Sequence, residues 1–262
     1  MNFFRMLIGI PILLAGTGIS YATLVAYYPL DTDALDASGN GHHGTVTGSG
    51  VTYGQAGANG ATGQSTDFTG SGHINVPYSP ALNTPDFTVT LWANADVAGG
   101  GGGNYRSPIT NRDDVSGVTY GWIIYNDNAG NWNFWNGQGA SGWPQLSGGA
   151  VATTTWTHLA ISYDSATSTK SFYVNGNLAG TANAAFAANG PQMEALHLGG
   201  GGDDGTQFRF DGRIDDVGLF DHVLDQAAIQ NIMVNGVIPE PASGVLFLLG
   251  LSLLRAFRLA RK

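Results

Sequence analysis

Short runs of apolar and aromatic residues alternate with clusters of Gly, Asn, Asp and Ser along most of the chain. In residues 87–94, apolar side chains occupy every second position, with Thr and Trp between them. A period of two is that of a β-strand with one face on a core, and the intervening clusters favour turns. About a dozen such runs predict an all-β sandwich.

The apolar residues of the last strand pattern, in residues 210–224, change phase partway. Phe210 and Ile214 fall on one face, but the next apolar residues fall on the other. Both sets can reach one core only if an extra residue is inserted between them, which is a β-bulge. The insertion falls at Asp215 and Asp216. A strand that ends in a solvated acidic turn is the alternative.

One convincing helix follows this strand. Asp225 is placed to cap its N-terminus, and Asn235–Gly236 stop it. Ala228, Ile229 and Met233 are expected to face inward. The sequence therefore predicts a sandwich with one short C-terminal helix and a separate apolar segment behind it.

The body of the chain is strongly acidic. Between residues 23 and 238, 18 Asp and Glu residues face five Lys and Arg residues. Nucleic-acid binding needs clustered Lys and Arg, so no nucleic-acid partner is expected. An acidic body is compatible with binding of divalent cations and of neutral glycans. The chain has no cysteine, which excludes disulfides, thiolate metal sites and Cys nucleophiles.

Residues 1–22 predict a secretory signal peptide. Arg5 supplies the positive start, and residues 6–15 are apolar. Ser20, Tyr21 and Ala22 fit the small-x-small pattern that precedes a cleavage site. The mature domain is therefore expected to cover residues 23–236.

Residues 237–262 form a block with three parts. Pro239, Glu240 and Pro241 precede an apolar run at 242–254, and Arg and Lys residues end the chain. The 13-residue run is shorter than the about 20 residues of a standard transmembrane helix. The basic tail favours the cytoplasmic side. A plain C-terminal membrane anchor is one interpretation of this block.

The block also resembles the PEP-CTERM sorting signal. That resemblance implies a Gram-negative bacterium that makes exopolysaccharide and an exosortase-type sorting enzyme as a partner. It further implies a transient inner-membrane anchor through a short transmembrane segment. Release to the cell surface or extracellular matrix would follow.

Aromatic residues concentrate in the middle of the chain. Trp135 shares its strand face with Asn131 and Asn133, and Trp143 follows in the next loop. Indole rings stack on the C–H faces of sugars, and amides bond to hydroxyl groups. We therefore expect these four residues to form a glycan-binding site. The alternative, a place in the sandwich core, stays open for Trp135 and Trp143 and is favoured for two other tryptophans, Trp122 and Trp132.

Six stretches in sequence order resemble the LamG-like domains of the concanavalin A-like lectin/glucanase superfamily. They are YPL with LDASGNGHHG, DFTGSGHINVP, FTVTLWAN, WTHLAISYD with YVNG, LHLGG, and FDGRIDDVGLFDHVLDQAAIQNI. Together they cover nearly all of residues 23–234. The resemblance implies a jelly-roll sandwich of two antiparallel sheets, often with a structural Ca²⁺, and functions in binding or adhesion.

The resemblance also implies that the loop after the first strand lies beside the last strand. Asp36 and Asn40 would then join Asp215 and Asp216 around a structural Ca²⁺. A cation would offset the repulsion between two adjacent carboxylates. Arg213 is the rival candidate for that role.

Glucanases of this superfamily need two opposed carboxylates, usually in a Glu-x-Asp-x-x-Glu motif. This chain has only Glu194 and Glu240, and the second lies in the sorting block. The pairs 113–114 and 203–204 are adjacent Asp residues, too close in sequence for obvious opposed roles. The sequence therefore predicts a non-catalytic protein that binds carbohydrate or mediates adhesion. A structural matrix protein without a specific glycan, and less favourably a glycoside hydrolase, are the alternatives.

Overall fold

The structure is a computed structural model that describes residues 23–99, 105–203 and 207–238. Two large antiparallel sheets pack face to face, and one short helix follows the last strand. The expected all-β sandwich of jelly-roll type, with its C-terminal helix, is confirmed.

The described residues contain 17 strands, one 3-10 turn and one α-helix. In chain order they are β1 (Leu24–Tyr28), β2 (Thr45–Thr47), β3 (Val51–Ala56), β4 (Gln64–Phe68), β5 (His73–Val76), a 3-10 turn (Pro80–Leu82), β6 (Phe87–Ala95), β7 (Arg106–Thr110), β8 (Asp113–Val115), β9 (Val118–Tyr120), β10 (Trp122–Asn126), β11 (Asn131–Asn136), β12 (Gln145–Ala150), β13 (Thr157–Asp164), β14 (Thr169–Val174), β15 (Asn177–Asn183), β16 (Leu196–Leu198), β17 (Gly212–Phe220) and α1 (Gln226–Asn235).

The strands divide between two sheets and one small hairpin. The first sheet has the order β15-β14-β13-β6-β17-β4-β3, with β1 paired to β17. The second has the order β12-β11-β10-β7-β16-β5-β2, and β8 and β9 form the hairpin. The core between the sheets contains Trp122 and Trp132, as expected.

Strand β6 lies in the middle of the first sheet between β13 and β17. Val89 and Leu91 point into the core, while Thr90 and Trp92 point to the opposite face. Every residue of β6 except Trp92 is buried. The strand is therefore covered on both sides, and helix α1 packs on the outer side of the same sheet, where Ile229 joins a cluster with Ala160 and Tyr173 of β13 and β14.

The predicted bulge in β17 is present. Asp215 pairs with Trp92, but the next paired residue, Gly218, lies opposite Thr90, so β17 carries one extra residue. Asp216 takes up the insertion with a left-handed backbone, at a φ of 52°. The apolar residues on both sides of the bulge reach the same core: Phe210, Ile214, Val217 and Leu219.

Helix α1 begins and ends where the sequence predicts. The Asp225 carboxylate accepts a hydrogen bond from the Ala228 backbone N–H, and Gly236 ends the helix at a φ of 77°. Of the three residues expected to face inward, Ile229 is buried, and Ala228 and Met233 are partly buried, with Ala228 packed against the same cluster. Ile232, three residues after Ile229 on the same helix face, is buried as well.

In the described ranges, no helix is long and apolar enough to cross a membrane. The predicted signal peptide at residues 1–22 lies outside these ranges, and so do the sorting motif and the apolar run at 242–254. The structure therefore does not test the predictions for these segments.

The left-handed backbone of Asp216 leads to a prediction about the free energy of unfolding. Replacing Asp216 by Gly or by Ala removes the same carboxylate, but only glycine adopts a positive φ without cost. We expect D216G to be more stable than D216A by about 1 kcal/mol in urea unfolding, the reverse of the usual order in regular structure.

Ser171 on β14 provides the control, because its backbone lies outside the left-handed region. There S171A should be at least as stable as S171G. Equal stabilities of D216G and D216A would contradict the assigned role of the bulge.

Candidate functional site

Five aromatic side chains gather on the outer side of the second sheet. We call them the aromatic cluster: Tyr105, Tyr125, Trp135, Trp143 and Phe208. Tyr125 and Trp135 lie 4.3 Å apart between ring centroids, and Trp135 and Trp143 lie 6.1 Å apart at an interplanar angle of 26°. Tyr105 contacts Tyr125, Trp135 and Phe208 at 5.4, 5.5 and 6.3 Å.

Strand alternation places Trp135 on this outer side. Trp132 and Phe134 on β11 point into the core, so Trp135 points away from it. Its neighbours across the sheet are Ile123 on β10 and Gln145 on β12. Trp135 and Trp143 are both partly exposed, as a ligand-stacking surface requires.

Arg112 is packed into the aromatic cluster. Its guanidinium lies 4.5 Å from the centre of the Trp143 ring and 4.7 Å from that of Phe208. It donates a 2.6 Å hydrogen bond to Asp203 and lies 3.8 Å from Asp114. Burial raises the pKa of Asp203, and Arg112 opposes that rise. Sequence reasoning missed Arg112, because its partners come from distant loops.

Close backbone packing holds the loop that carries Asp203. A Cβ atom on Gly199 would lie 2.0 Å from the Phe68 ring, and one on Gly201 would lie 2.3 Å from the His197 ring. Both glycines also have positive φ values, of 82° and 110°. Only glycine fits these positions, so the Gly-rich sequence brings Asp203 to Arg112.

The amides predicted beside Trp135 differ in their surroundings. Asn131 is partly exposed at the rim of the aromatic cluster. Asn133 is fully buried, with its Nδ2 donating to Asp127 and its Oδ1 accepting from Gln145. The prediction that Asn133 offers its amide to a ligand is wrong, because this amide is already used within the protein. Gln145 is the exposed amide next to Trp135.

Two contacts fix the loop that carries Trp143. The Thr119 hydroxyl oxygen lies 2.9 Å from the carbonyl oxygens of both Ala140 and Gly142, which share its one hydrogen as acceptors. The Trp143 indole N–H donates to the Asp114 carboxylate at 3.4 Å. The hairpin β8–β9 therefore supports the loop from one side.

Lys170 supports the same region from inside the sandwich. Its side chain is fully buried, and its Nζ donates to Asn136 Oδ1 at 2.9 Å and to the Pro144 carbonyl at 2.7 Å. The ammonium also lies 5.0 Å from the centre of the Phe134 ring. These two partners directly follow Trp135 and Trp143, so one ammonium bonds to the side chain after the first tryptophan and to the backbone after the second. Burial lowers the pKa of Lys170 to about 8.

A second group of polar residues lies at the first sheet, where β1 meets β17. Tyr27 links two of the predicted carboxylates. Its backbone N–H donates to Asp36 at 3.0 Å, and its hydroxyl donates to Asp216 at 2.9 Å. Asp216 also accepts hydrogen bonds from the Val237 N–H, at 3.2 and 3.0 Å. The bulge therefore connects the first strand to the end of the described chain.

Asp215 is held by a different loop. One of its oxygens accepts from the Ala58 N–H at 2.8 Å and from the Thr62 hydroxyl at 2.7 Å. The other oxygen is buried without a partner in the described residues. Burial is the main cause that raises the pKa of Asp215 to about 7 and that of Asp216 to about 6. The charge of Asp31 adds to both shifts.

Asp36 and Asn40, two of the predicted Ca²⁺ ligands, form hydrogen bonds within the first loop and to β1. Asp36 accepts hydrogen bonds from the N–H groups of Tyr27, Ser38 and His42. Although burial opposes the change, these bonds lower its pKa. Asn40 donates its amide to carbonyls of β1. The four predicted ligands therefore do not converge: Asp36 and Asn40 bond to the first loop and to β1, whereas Asp215 and Asp216 bond to other segments.

Two further observations concern the groups that could offset the charges of Asp215 and Asp216, a metal ion or Arg213. The described residues contain no group of three or more His, Asp or Glu side chains arranged to hold a metal ion. The rival candidate Arg213 lies over the Trp156 ring at 5.4 Å and donates to the Ala56 carbonyl at 3.4 Å. Hydrogen bonds from Tyr27 and Thr62 were missed by sequence reasoning, since nothing local in the sequence connects them to the bulge.

Comparison with protein families matches residues 68–230 to the model described as the concanavalin A-like lectin/glucanases superfamily. A comparison with curated proteins finds no match. Several solved structures are similar in fold.

One of them is domain 4 of AbnA, a GH43 extracellular arabinanase from Geobacillus stearothermophilus, in complex with arabinotriose. It is 21% identical with a TM-score of 0.57, and the match covers 81% of this chain and 98% of that one. The binding domain of Paraclostridial Mosquitocidal Protein 1 is 14% identical with a TM-score of 0.60, covering 80% and 52%. The binding domain of Botulinum Neurotoxin DC in complex with SialylT is 16% identical with a TM-score of 0.56, covering 81% and 51%. The chain thus spans about half the length of these toxin domains.

The buried lysine makes a prediction about pH. The pKa of Lys170 is about 8 in the fold, below its ordinary value of 10.5, so the unfolded chain binds more protons between these values. The free energy of unfolding should therefore rise as pH increases through about 8 to 9. We expect this rise in urea unfolding of the wild-type protein and its absence in K170M. An equal rise in both proteins would contradict the assigned environment of Lys170.

Proposed function

We propose, since the chain belongs to the concanavalin A-like lectin/glucanases superfamily, that it is a non-catalytic surface or matrix protein that binds a glycan. The aromatic cluster is the proposed binding site, with Trp135 and Trp143 as stacking residues. Asn131 and Gln145 are the amides that can bond to sugar hydroxyls there, and Asn133 holds Gln145 in position.

The observation that carries this proposal is the pair of partly exposed, nearly parallel indole rings beside polar side chains. Sugar sites combine apolar rings with a few polar groups in this manner. The loop and ring of Trp143 are held by Lys170, Thr119 and Asp114, and the Trp135 ring packs against Tyr105 and Tyr125. Prior fixation lowers the entropy cost of binding.

The similar solved structures lend support by analogy. Domain 4 of the arabinanase was solved with arabinotriose, and the neurotoxin binding domain with SialylT. A shared fold does not transfer a ligand, so the identity of the glycan is a matter for experiment. Exopolysaccharide is the proposed partner because the sorting block resembles that of matrix-producing bacteria.

Export and sorting form the second part of the proposal. A signal peptide at residues 1–22 would direct the chain out of the cytoplasm, and Pro239, Glu240 and Pro241 would be read by an exosortase-type enzyme. The segment at 242–254 would anchor the chain in the inner membrane during this step. The protein would then reach the cell surface or extracellular matrix.

Structural Ca²⁺ stays a prediction, now centred on Asp215 and Asp216. It is supported by the buried oxygen of Asp215 that has no partner and by the charges of Asp216 and Asp31 nearby. A bound cation would favour the charged forms of these carboxylates, and hard oxygen ligands are those that Ca²⁺ prefers.

Two alternatives predict different measurements. A structural matrix protein would show no saturable glycan binding. A glycoside hydrolase would release reducing ends from a polysaccharide. Asp114 and Asp203 do lie close together, with the Asp114 N–H donating to Asp203 at 3.0 Å, but both also lie beside the Arg112 guanidinium. Both carboxylates therefore have a structural role, because they bind the Arg112 guanidinium.

The stacking role predicts the effect of one substitution. W143A should weaken binding to the producer's exopolysaccharide by about tenfold, because a stacked indole contributes burial and ring contacts. Isothermal titration calorimetry or a glycan array measures this. W156A is the matched control, since Trp156 is also partly exposed but lies at the first sheet. Genuine binding that W143A leaves unchanged would contradict the aromatic site.

The calcium prediction is tested by thermal unfolding with and without a chelator. In chelator, Asp215 and Asp216 have raised pKa values of about 7 and about 6, so their contribution to stability is present below about pH 4 and is lost as pH rises through 6 to 7. Bound Ca²⁺ should raise the midpoint most at pH 8, where both are charged. An unchanged midpoint at pH 8 would rule out the cation.

A further inference from the structure

The charges around the aromatic cluster do not balance. Arg112 lies 2.6 Å from Asp203 and 3.8 Å from Asp114. One guanidinium therefore faces the carboxylates of Asp203 and Asp114, and the charge of Asp113 also acts on it, so negative charge is in excess among the described residues around Arg112. In a partly desolvated site, an excess charge acts strongly on any charged group that enters.

The cation itself is out of reach of a ligand. The Arg112 side chain is only 5% exposed and lies against the rings of Trp143 and Phe208. Its Nη1 already donates to Asp203. An anionic sugar could pair with Arg112 only by displacing this carboxylate or by opening the contact with the rings.

The other arginines of this side are also engaged. Arg106 lies 3.9 Å from Asp211, and Arg209 donates to the imidazole of His73 at 2.7 Å. Within the described part of the chain, every arginine at the second sheet therefore has a partner on the protein. Among these arginines, Arg112 is the one that contacts the rings of the aromatic cluster, and its charge faces carboxylates of the protein.

Asp114 is the carboxylate that a ligand can meet. Its side chain is 35% exposed, about twice the 18% of Asp203. One oxygen accepts from the Trp143 indole N–H, and the other accepts from the Gly117 N–H. The carboxylate therefore lies at the edge of the Trp143 ring, next to the substituents of any sugar stacked there.

We infer that the aromatic cluster selects glycans by charge, preferring sugars with a free amino group, accepting neutral sugars and rejecting uronic acids, with Asp114 as the specificity-determining residue. The inference rests on the proposed glycan-binding function. An ammonium beside Asp114 is attracted and a carboxylate repelled, at a strength that corresponds to about fivefold or more in affinity for each change of charge.

Three oligosaccharides of equal length test the inference on the full chain: oligomers of glucosamine, of N-acetylglucosamine and of galacturonic acid. Affinities are measured by titration calorimetry at about pH 5.5, where the glucosamine amine is protonated, in low salt and in 0.5 M salt. We expect the order amine, neutral, acid, with the preference for the amine reduced in high salt, because salt screens the charge.

D114N separates the specificity from stacking. It keeps an acceptor oxygen at the same place, and the readout is the ratio of two affinities: the preference for the amine over the neutral oligomer should fall about fivefold, whatever the change in affinity for the neutral oligomer itself. D33N is the control, because it removes an equal charge from an exposed position in the first loop. It should leave the preference unchanged, which excludes an effect of net charge alone.

The outcomes separate this inference from the proposed function. Saturable binding with equal affinity for all three oligomers, or with the acid bound best, would overturn the charge selection and leave glycan binding intact. A preference for the amine that D114N and D33N reduce equally would overturn the role of Asp114. No binding of any oligomer, together with no binding to the producer's exopolysaccharide, would overturn the proposed function and the inference with it.

Discussion

A single inserted residue in β17 lets this strand supply apolar side chains to the core on both sides of Asp216. Without the insertion, the period of two would turn Val217 and Leu219 away from the core. The strand pairs with β6, β4 and β1, and Asp216 joins β1 to the last described residues through Tyr27 and Val237. The bulge also presents two carboxylates, which take hydrogen bonds from Tyr27, Thr62 and Val237. The register that turns β17 side chains into the core, and the contact between β1 and the last described residues, therefore depend on the same position.

The proposed binding site occupies the opposite outer face of the sandwich. Alternation along β11 turns Trp132 and Phe134 inward and Trp135 outward, so one strand serves the core and the aromatic cluster. Lys170 links the two, because it reaches from the first sheet to the residues after Trp135 and Trp143. The aromatic cluster and the bulge carboxylates therefore lie on opposite outer faces of one sandwich.

The parts that sequence predicts are those governed by local periodicity and end signals. The phase change at Asp215 and Asp216 revealed the bulge, Asp225 and Gly236 revealed the helix ends, and alternation placed Trp135 outward. These local signals could not predict which side chains are buried or hydrogen-bonded by distant segments of the chain. Asn133 lies on the predicted face, yet Asp127 and Gln145 occupy its amide. Arg112 enters the aromatic cluster only because loops far apart in the chain meet there. Asp36 and Asn40 belong to a loop that bonds to its own strand, so the expected four-ligand site did not form from them.

The central claim is that ligand binding and chain closure lie on opposite faces. Two-dimensional NMR of ¹⁵N-labelled protein, titrated with a glycan that it binds, tests this directly through the indole N–H and backbone signals. The account predicts that the indole signals of Trp135 and Trp143 shift with the ligand, while the backbone signals of Ala58, Asp216 and Val237 stay unchanged. Shifts concentrated around Asp216, with both indole signals unmoved, would contradict it.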